Sequence, residues 1–378
     1  MLCTLAISAS NTRLTFSDER CFLGMAGVLI KIGTSSLTNE DGVIDETVIE
    51  KVAEEVADLR SQGDQVTIVT SGAIAAGMPV IGMEAESRPT DAVSLQALSS
   101  IGQPALMTKW CEALSRHDLA VGQILLAPHN FGERQQYLHA RSTLQRLHQL
   151  GVIPVVNEND AVTDAEIRFG DNDRIAALVA TLVEAETLVL LTDTDGLLTA
   201  DPRIDPHASL IDEVVEFDQQ LEELVGGAGT VRGSGGMASK LTAAKIAAWS
   251  GVRTVIANAE RSGVIADAVS GTAGVGTVVQ PRETTLTARK LWIGFAMPSV
   301  ATVRVDEGAL DALASGGKSL LSVGVAEVEG SFDRRNPIEI SGPDGTVFAK
   351  GIARLSSDEF DNATGQILVH ADDLVVIA

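Results

Sequence analysis

Between residues 28 and about 260, short runs of continuously apolar residues alternate with amphipathic segments, and this alternation constrains the fold more than any other feature. The apolar runs are VLIKIG (28–33), VTIVTSG (66–72), VGQILLA (121–127), VIPVV (152–156), TLVLLTD (187–193) and VRTVIAN (252–258). Most lack the polar–apolar alternation of a half-exposed strand, so both faces should be buried, as in a parallel sheet. Between them lie helical patterns. One runs from Glu46 to Gln62, with Val48, Val52, Val56 and Leu59 on one face and Gly63 as its stop. A second, Ala140 to Leu150, is closed by Gly151. Strands and helices alternating at these lengths predict a three-layer α/β domain with a mainly parallel central sheet.

The pattern changes after a glycine-rich stretch, GTAGVGTVVQPRETT (271–285). Beyond it the segments are short and alternate in polarity, as in ATVRVD and PIEISGPDGTVFAKGIARL. Pro343-Asp344-Gly345 forms a turn between two strands, and Glu307 to Leu313 reads as one helix. The expected organisation is a leader (1–24), an α/β domain (25–270), a linker (271–284) and a small β-rich domain (285–378). The leader lacks the basic start and long apolar stretch of a signal peptide. It reads as disordered, or as a start assigned too early.

Charge and cysteine usage narrow the partners. The net charge is −23, which repels phosphate backbones in the absence of a local basic patch. From Thr284 to Ala378 there are 13 acidic and 8 basic side chains, so the C-terminal domain is itself acidic and disfavours a nucleic-acid partner. No apolar run reaches the roughly 18 residues of a membrane span. Cys3, Cys21 and Cys111 are scattered without a CxxC pair, which argues against a disulfide framework or zinc site and fits the cytoplasm. The six histidines show no metal-ligand spacing.

Several motifs sit where strands end. In an open parallel sheet, ligands gather at the carboxyl ends of the strands. KIGTSSLT (31–38) places Lys31 inside an otherwise apolar strand and a small-residue turn after it. A buried lysine needs a partner, and a glycine-rich turn lets backbone N–H groups approach phosphate oxygens. TSGAIAAG (70–77) repeats the turn after the second strand. It is not a nucleophile elbow, because that pattern needs Gly where Val69 stands. TDTDGLLTADPR (192–203) follows the fifth strand. It lacks the glycine and glutamate spacing of a calcium loop and reads as a loop lining a nucleotide. GSGGMASKLTAAKIAAWSG (233–251) opens a helix, with Lys240 in its first turns. A cation there opposes the helix dipole unless an anion sits between them. No strand directly precedes this stretch, so it fails the context of a dinucleotide fingerprint. ASGGKS (314–319) fails as a Walker loop, because Ala312 stands at the first glycine position.

Two lysines and two glycine-rich loops suit phosphoryl transfer, which needs chiefly positioning and charge neutralisation; Mg²⁺ would contribute to both. The acidic and amide clusters Asn157-Glu158-Asn159-Asp160 and Gly170-Asp171-Asn172-Asp173 suit an ammonium group, leaving backbone N–H groups and Ser71 for carboxylates. An amino acid is therefore a plausible acceptor. A side-chain carboxylate, with a pKa of about 4.3, is already ionised at neutral pH and needs no general base.

In this order, KxGTS at 31–35, VTSGAIAAG, NENDAV, GDND, LLTDTDGL, TADPR and GGMASK resemble the glutamate 5-kinase (γ-glutamyl kinase) family, which has the amino-acid kinase fold. The likeness spans about residues 28–262, and the C-terminal domain resembles a PUA domain. Single motifs are weak, but the ordered set is specific. The resemblance implies ATP, with Mg²⁺, and L-glutamate as substrates, and L-glutamyl 5-phosphate, made in proline biosynthesis, as product. It implies that Lys31 and Lys240 stabilise the transferring phosphoryl group and that Asp173 holds both lysines. It implies glutamate binding by Ser71, Asp160 and Asn172. It implies ATP binding by Lys31, Thr192, Asp193, Ser234, Gly235, Gly236, Met237, Ala238, Ser239 and Lys240. Inhibition by proline, homo-oligomer formation and a glutamyl phosphate reductase as partner are further implications. Two positions depart from the family: Ser234 stands where threonine is frequent, and Asp195 where lysine is common. The extra negative charge at Asp195 should weaken nucleotide binding slightly.

Other readings stay open. Acetylglutamate kinase and aspartokinase share the lysines and glycine loops, but not the NENDAV and GDND pair. A PUA domain also admits an RNA-binding role, or a purely regulatory one.

Overall fold

The protein is described by a computed structural model covering residues 26–131, 133–162, 171–200, 205, 207–215, 217, 234–283, 285–297, 299–360 and 365–377. The expected leader lies outside the described residues. The first domain is built on an eight-stranded sheet in the order β3-β4-β2-β1-β5-β7-β8-β6. Its strands are β1 (Gly27–Ile32), β2 (Gln65–Thr70), β3 (Val121–Leu126), β4 (Ile153–Glu158), β5 (Thr187–Thr192), β6 (Glu213–Val214), β7 (Arg253–Asn258) and β8 (Thr277–Val279). Every pairing from β3 through to β7 is parallel, and β8 joins β7 antiparallel.

Helices cover both faces, giving the expected three layers. They are α1 (Glu46–Gln62), α2 (Ala73–Val80), α3 (Ala92–Ser115), α4 (Arg134–Gln149), α5 (Asp171–Leu182), α6 (Ser234–Trp249) and α7 (Val264–Ser270). α1 matches its sequence pattern: the Asp45 side chain accepts from the Thr47 N–H at its start, and Gly63, at φ 101°, ends it. The period-two geometry of β1 divides its side chains between the layers. Val28, Ile30 and Ile32 pack with α1, α2, α3 and α7, while Leu29 joins the core under α4, α5 and α6. Lys31 shares the face of Leu29.

α2 and α3 cross with almost no side chain between them. A Cβ on Gly102 would sit 1.7 Å from the Ala73 carbonyl oxygen and 2.5 Å from the Gly77 nitrogen. This contact fixes α3 against the start of α2, where the second strand-end motif lies.

Three elements differ from expectation. β3 was expected to be buried on both faces, but it is the sheet edge and Leu125 is exposed. α4 begins at Arg134, not Ala140, because its polar first turn hides the pattern. The stretch 271–284, read as a linker, contributes β8 and docks on the domain. Val275 and Val279 are buried, and Arg282 stacks over Trp249 at 4.0 Å while its N–H donates to the Ala248 carbonyl.

The second domain carries a six-stranded sheet in the order β10-β14-β13-β12-β9-β11. Its strands are β9 (Ala301–Val305), β10 (Leu320–Leu321), β11 (Val325–Gly330), β12 (Pro337–Ser341), β13 (Val347–Ala353) and β14 (Ile367–Val376), with α8 (Glu307–Ala314) alongside. All pairings are antiparallel except β9 with β12. Gly345, at φ 85°, turns the chain between β12 and β13 as expected. The connecting segment is tied to both domains. Trp292 donates from Nε1 to the Pro128 carbonyl at 3.0 Å, and Arg289 pairs with Asp373 at 2.8 Å. Among the described residues no helix is long and apolar enough to cross a membrane.

Two stability predictions follow from this packing. Gly102→Ala should destabilise the domain by about 3 kcal/mol, because its new methyl meets backbone that cannot yield; urea unfolding measures this. His148, on α4, lies 3.0 Å from the Thr67 hydroxyl. Burial, reinforced by Arg60, lowers its pKa to about 4. Between the ordinary value near 6.5 and that lowered value, the unfolded chain binds a proton that the folded chain does not. Stability should therefore fall with pH across this window, by on the order of 2 kcal/mol between pH 7 and 5. His148→Gln should flatten the dependence in unfolding curves recorded at both pH values.

Candidate active site

The strand ends on the carboxyl side of the sheet converge on Lys31. Its aliphatic stem lies inside β1, and its Nζ reaches Asp173, in the first turn of α5, at 2.5 Å. The other carboxylate oxygen of Asp173 lies 3.6 Å from Nζ of Lys240 on α6. All three side chains are buried. Burial disfavours a charge on Lys31 and lowers its pKa; Asp173 opposes this shift and Lys240 adds to it. For Asp173, burial disfavours the charged form, but Lys31 and Lys240 outweigh it and hold the carboxyl below the usual range. Ser239, one residue before Lys240, adds to this lowering.

The loop after β1 is shaped by the lysine. A Cβ on Gly33 would approach Lys31 Nζ to 3.2 Å, so the absence of a side chain leaves room beside the ammonium. Residues Thr34–Leu37 then form one helical turn. Lys240 Nζ also points back toward the start of α6, 3.4 Å from the Gly236 carbonyl. Ser234 and Gly235 begin α6, followed by exposed Gly236 and half-buried Met237, Ala238 and Ser239.

On one side of β1 lie β2 and β4. Ser71 extends β2, its N–H donating to the Ile32 carbonyl at 3.1 Å. The preceding hydroxyl, on Thr70, accepts from Trp110 Nε1 at 3.1 Å and donates to the Ser71 carbonyl at 3.0 Å. At the end of β4, the Glu158 N–H donates to Oδ1 of both Asn157 and Asn172, at 2.9 and 3.2 Å. The Asn172 amide oxygen is thus occupied by backbone, which turns its NH₂ the other way. Asp160 follows on a single 3-10 turn, where its carboxylate accepts from Ser99.

On the other side of β1 lie β5 and β7. Thr192 is buried at the end of β5, and its hydroxyl donates to Asp193 at 3.1 Å. Asn258, at the end of β7, donates to Asp195 at 3.0 Å. Asp193 and Asp195 are both exposed. Of the residues expected from sequence, Lys31, Asp173 and Lys240 touch directly. Ser71, Asp160 and Asn172 fall on the β2–β4 side, and Thr192, Asp193 and the start of α6 on the β5–β7 side. Sequence reading did not single out Ser99, Trp110 or Asn258. Each acts through a partner distant in sequence, and none interrupts its local pattern.

The donor set is cationic and rich in N–H groups where the lysines meet, which suits phosphate oxygens. Among the described residues no group of three or more His, Cys, Asp or Glu side chains is gathered to hold a metal ion.

Comparison with known proteins extends this picture. Residues 27–258 match the amino acid kinase family, and residues 301–375 match the PUA domain. The chain is 44% identical over 338 residues to the glutamate 5-kinase of Geobacter sp. (strain M21), covering 89% of this chain and 90% of that protein. It is 40% identical over 365 residues to the glutamate 5-kinase of Pelobacter propionicus, covering 93% and 97%. Against the glutamate 5-kinase of Trichlorobacter lovleyi the identity is 43%, covering 93% and 96%.

Asp173→Asn should cost about 3–5 kcal/mol, because it leaves two buried cations facing each other. The sign of the pH effect follows from the lowered carboxyl pKa. The stabilisation by Asp173 is complete above the ordinary carboxylate value near 4 and is lost as pH falls through the lowered folded value. Urea unfolding of both proteins, repeated from pH 7 down to 3, should show their stabilities converging at the acid end.

Proposed function

This chain belongs to the glutamate 5-kinase family of amino acid kinases, and we propose that it transfers the γ-phosphoryl group of ATP to the side-chain carboxylate of L-glutamate. The products are L-glutamyl 5-phosphate and ADP, and the step is the first of proline biosynthesis. The observation that carries this reading is the sheet order. β1 brings Lys31 to the boundary between an amide- and carboxylate-rich half on β2 and β4 and a half on β5, β7 and α6 that ends in Lys240.

In this reading the β2–β4 half holds glutamate. Asp160 takes the ammonium group, while the Asn172 amide NH₂ and the Ser71 turn donate to its carboxylates. The β5–β7 half holds ATP, with Thr192 and Asp193 at the nucleoside and the N–H groups of residues 234–240 at the phosphates, in keeping with anion binding at a helix N-terminus. The acceptor carboxylate is ionised at neutral pH. One of its oxygens attacks the γ-phosphorus directly as the bond to the β–γ bridging oxygen breaks and ADP departs. Lys31 and Lys240 face the charge that spreads over the transferring group, where preorganised cations stabilise it most. Asp173 aligns the two ammonium groups and takes no proton. Magnesium would arrive with ATP and be held chiefly by substrate phosphates, as this ion commonly is, where it would offset phosphate charge. The cations and N–H donors around the two lysines fit the phosphate oxygens of that complex, not the ion itself.

From the family likeness we also infer a homo-oligomeric, cytoplasmic enzyme inhibited by proline. A glutamyl phosphate reductase would consume its labile product.

The test is ADP release from Mg·ATP with L-glutamate, N-acetylglutamate or aspartate, with hydroxylamine present to trap acyl phosphate. The expected result is γ-glutamyl hydroxamate with glutamate alone. Lys240→Ala should lower kcat by about 100-fold or more, the scale of losing a preorganised transition-state contact. Turnover with a different acceptor would overturn the glutamate assignment and leave the phosphoryl chemistry standing.

A further inference from the structure

Ser99 has no role in the chemistry described so far, yet its environment is specific. It lies in the first half of α3 and is 2% exposed. Its hydroxyl donates a 2.6 Å hydrogen bond to Oδ2 of Asp160, 61 residues away in sequence. Asp160 sits on a 3-10 turn of three residues, Asp160–Val162, just beyond β4. So short a turn leaves a carboxylate several rotamers, and a ligand that needs one of them must bear the cost of selecting it.

The donor of this pair is carried on a firmly anchored element. α3 is locked to α2 by the Gly77–Gly102 backbone contact. It is fixed to β2 through Trp110, whose Nε1 reaches Thr70 beside Ser71. The Ser99 hydroxyl is therefore a fixed donor carried on the same scaffold that places Ser71, and the Asp160 carboxylate accepts from it. A hydrogen bond to a charged acceptor is shorter and stronger than one between neutral groups, and 2.6 Å is at the short end of the range.

We propose that Ser99 is a positioning residue for the acceptor amino acid. Its hydroxyl holds the Asp160 carboxylate in the rotamer that receives the substrate ammonium group. The inference rests on the reading of Asp160 as the ammonium ligand. Ser99 touches neither the transferring phosphoryl group nor ATP, so it acts on glutamate affinity and not on the chemical step.

The test is steady-state kinetics of the full chain with Ser99→Ala, Asp160→Asn and the double variant. Thermal unfolding would confirm that each is folded, and Ser99→Cys would replace Ser99→Ala if that variant is not. Loss of a hydrogen bond to a charged group predicts a rise in KM for glutamate of about tenfold in Ser99→Ala. kcat and KM for ATP should stay within about twofold, because the lost contact is made equally in ground and transition states. In the Asp160→Asn background the same change should add little to KM. Ser99→Thr, which keeps the hydroxyl, should restore much of the affinity. An unchanged glutamate KM in Ser99→Ala, alongside a raised one in Asp160→Asn, would overturn the role of Ser99 and leave the Asp160 reading intact. Equal effects of Ser99→Ala in both backgrounds would also overturn it, because Ser99 would then act independently of Asp160. An unchanged glutamate KM in Asp160→Asn would remove the Asp160 reading and the proposal together.

Discussion

The buried triplet of Lys31, Asp173 and Lys240 sets the terms for the rest of the active-site domain. Two cations and one anion within a protein interior carry a surplus positive charge. Desolvation of such groups costs several kcal/mol per ion and is recovered only with close partners. Asp173 is shared between both lysines, at 2.5 and 3.6 Å, so neither cation is fully compensated by the protein. The remaining field points to the open end of the sheet, where an anion would complete the balance. On the proposed reading a phosphate group of ATP supplies that anion, so burial of the lysines would serve binding more than stability. The lowered pKa values of Lys31 and Asp173 describe the same compromise from two sides: burial disfavours both charges, and the pairing keeps Asp173 ionised.

Sheet topology supplies the geometry that this charge requires. In a parallel sheet every strand delivers its loop to the same edge, so functional groups far apart in sequence converge without long connections. β1 lies between β2 and β5, which places Lys31 at the junction of the two half-sites proposed above. Period two along β1 sends Lys31 to the face covered by α5 and α6, which carry Asp173 and Lys240. A shift of one residue in β1 would turn the lysine toward the layer of α1, α2 and α3 and leave it with none.

Much of this was legible in the sequence, and the exceptions share a cause. Lys31 stood out because it interrupts an apolar run. Asp173 and Lys240 stood out because they sit beside glycines where strand and helix patterns begin or end. α1 was bounded correctly because a capping aspartate and a left-handed glycine mark both ends. β8 escaped notice because three residues cannot express a period, and its glycine-rich flanks carry the signal of a linker. The first turn of α4 escaped because Arg134, Gln135 and Gln136 offer no apolar face. Ser99 was invisible for a different reason. A serine on a helix of small residues has no local signature, and its partner Asp160 is joined to it only by the fold. Sequence reading recovers what a residue does within its own element and loses what it does across elements.

The C-terminal domain illustrates how pairing, more than composition, decides which partners a surface can attract. Its described cations are largely committed to carboxylates of the same domain. Arg304 pairs with Glu327, Lys350 with Glu339, Arg354 with Asp373, and Arg334 with Glu359 through a two-pronged contact that draws the Glu359 pKa down to about 2. A guanidinium facing a carboxylate contributes little net field beyond a Debye length, and a domain that is acidic overall has few cations left to gather against a phosphate backbone. Exposed pairs of this kind add little stability individually, so their main consequence is the neutralised surface. Trp292 joins the connecting segment to the Pro128 carbonyl, two residues beyond the end of β3. The Asn159 N–H in turn donates to the Leu126 carbonyl at the end of that same strand. The physical link from the second domain therefore runs toward the Asp160 turn, from the Arg289–Asp373 ion pair on one side of the connecting segment to the Trp292 hydrogen bond on the other.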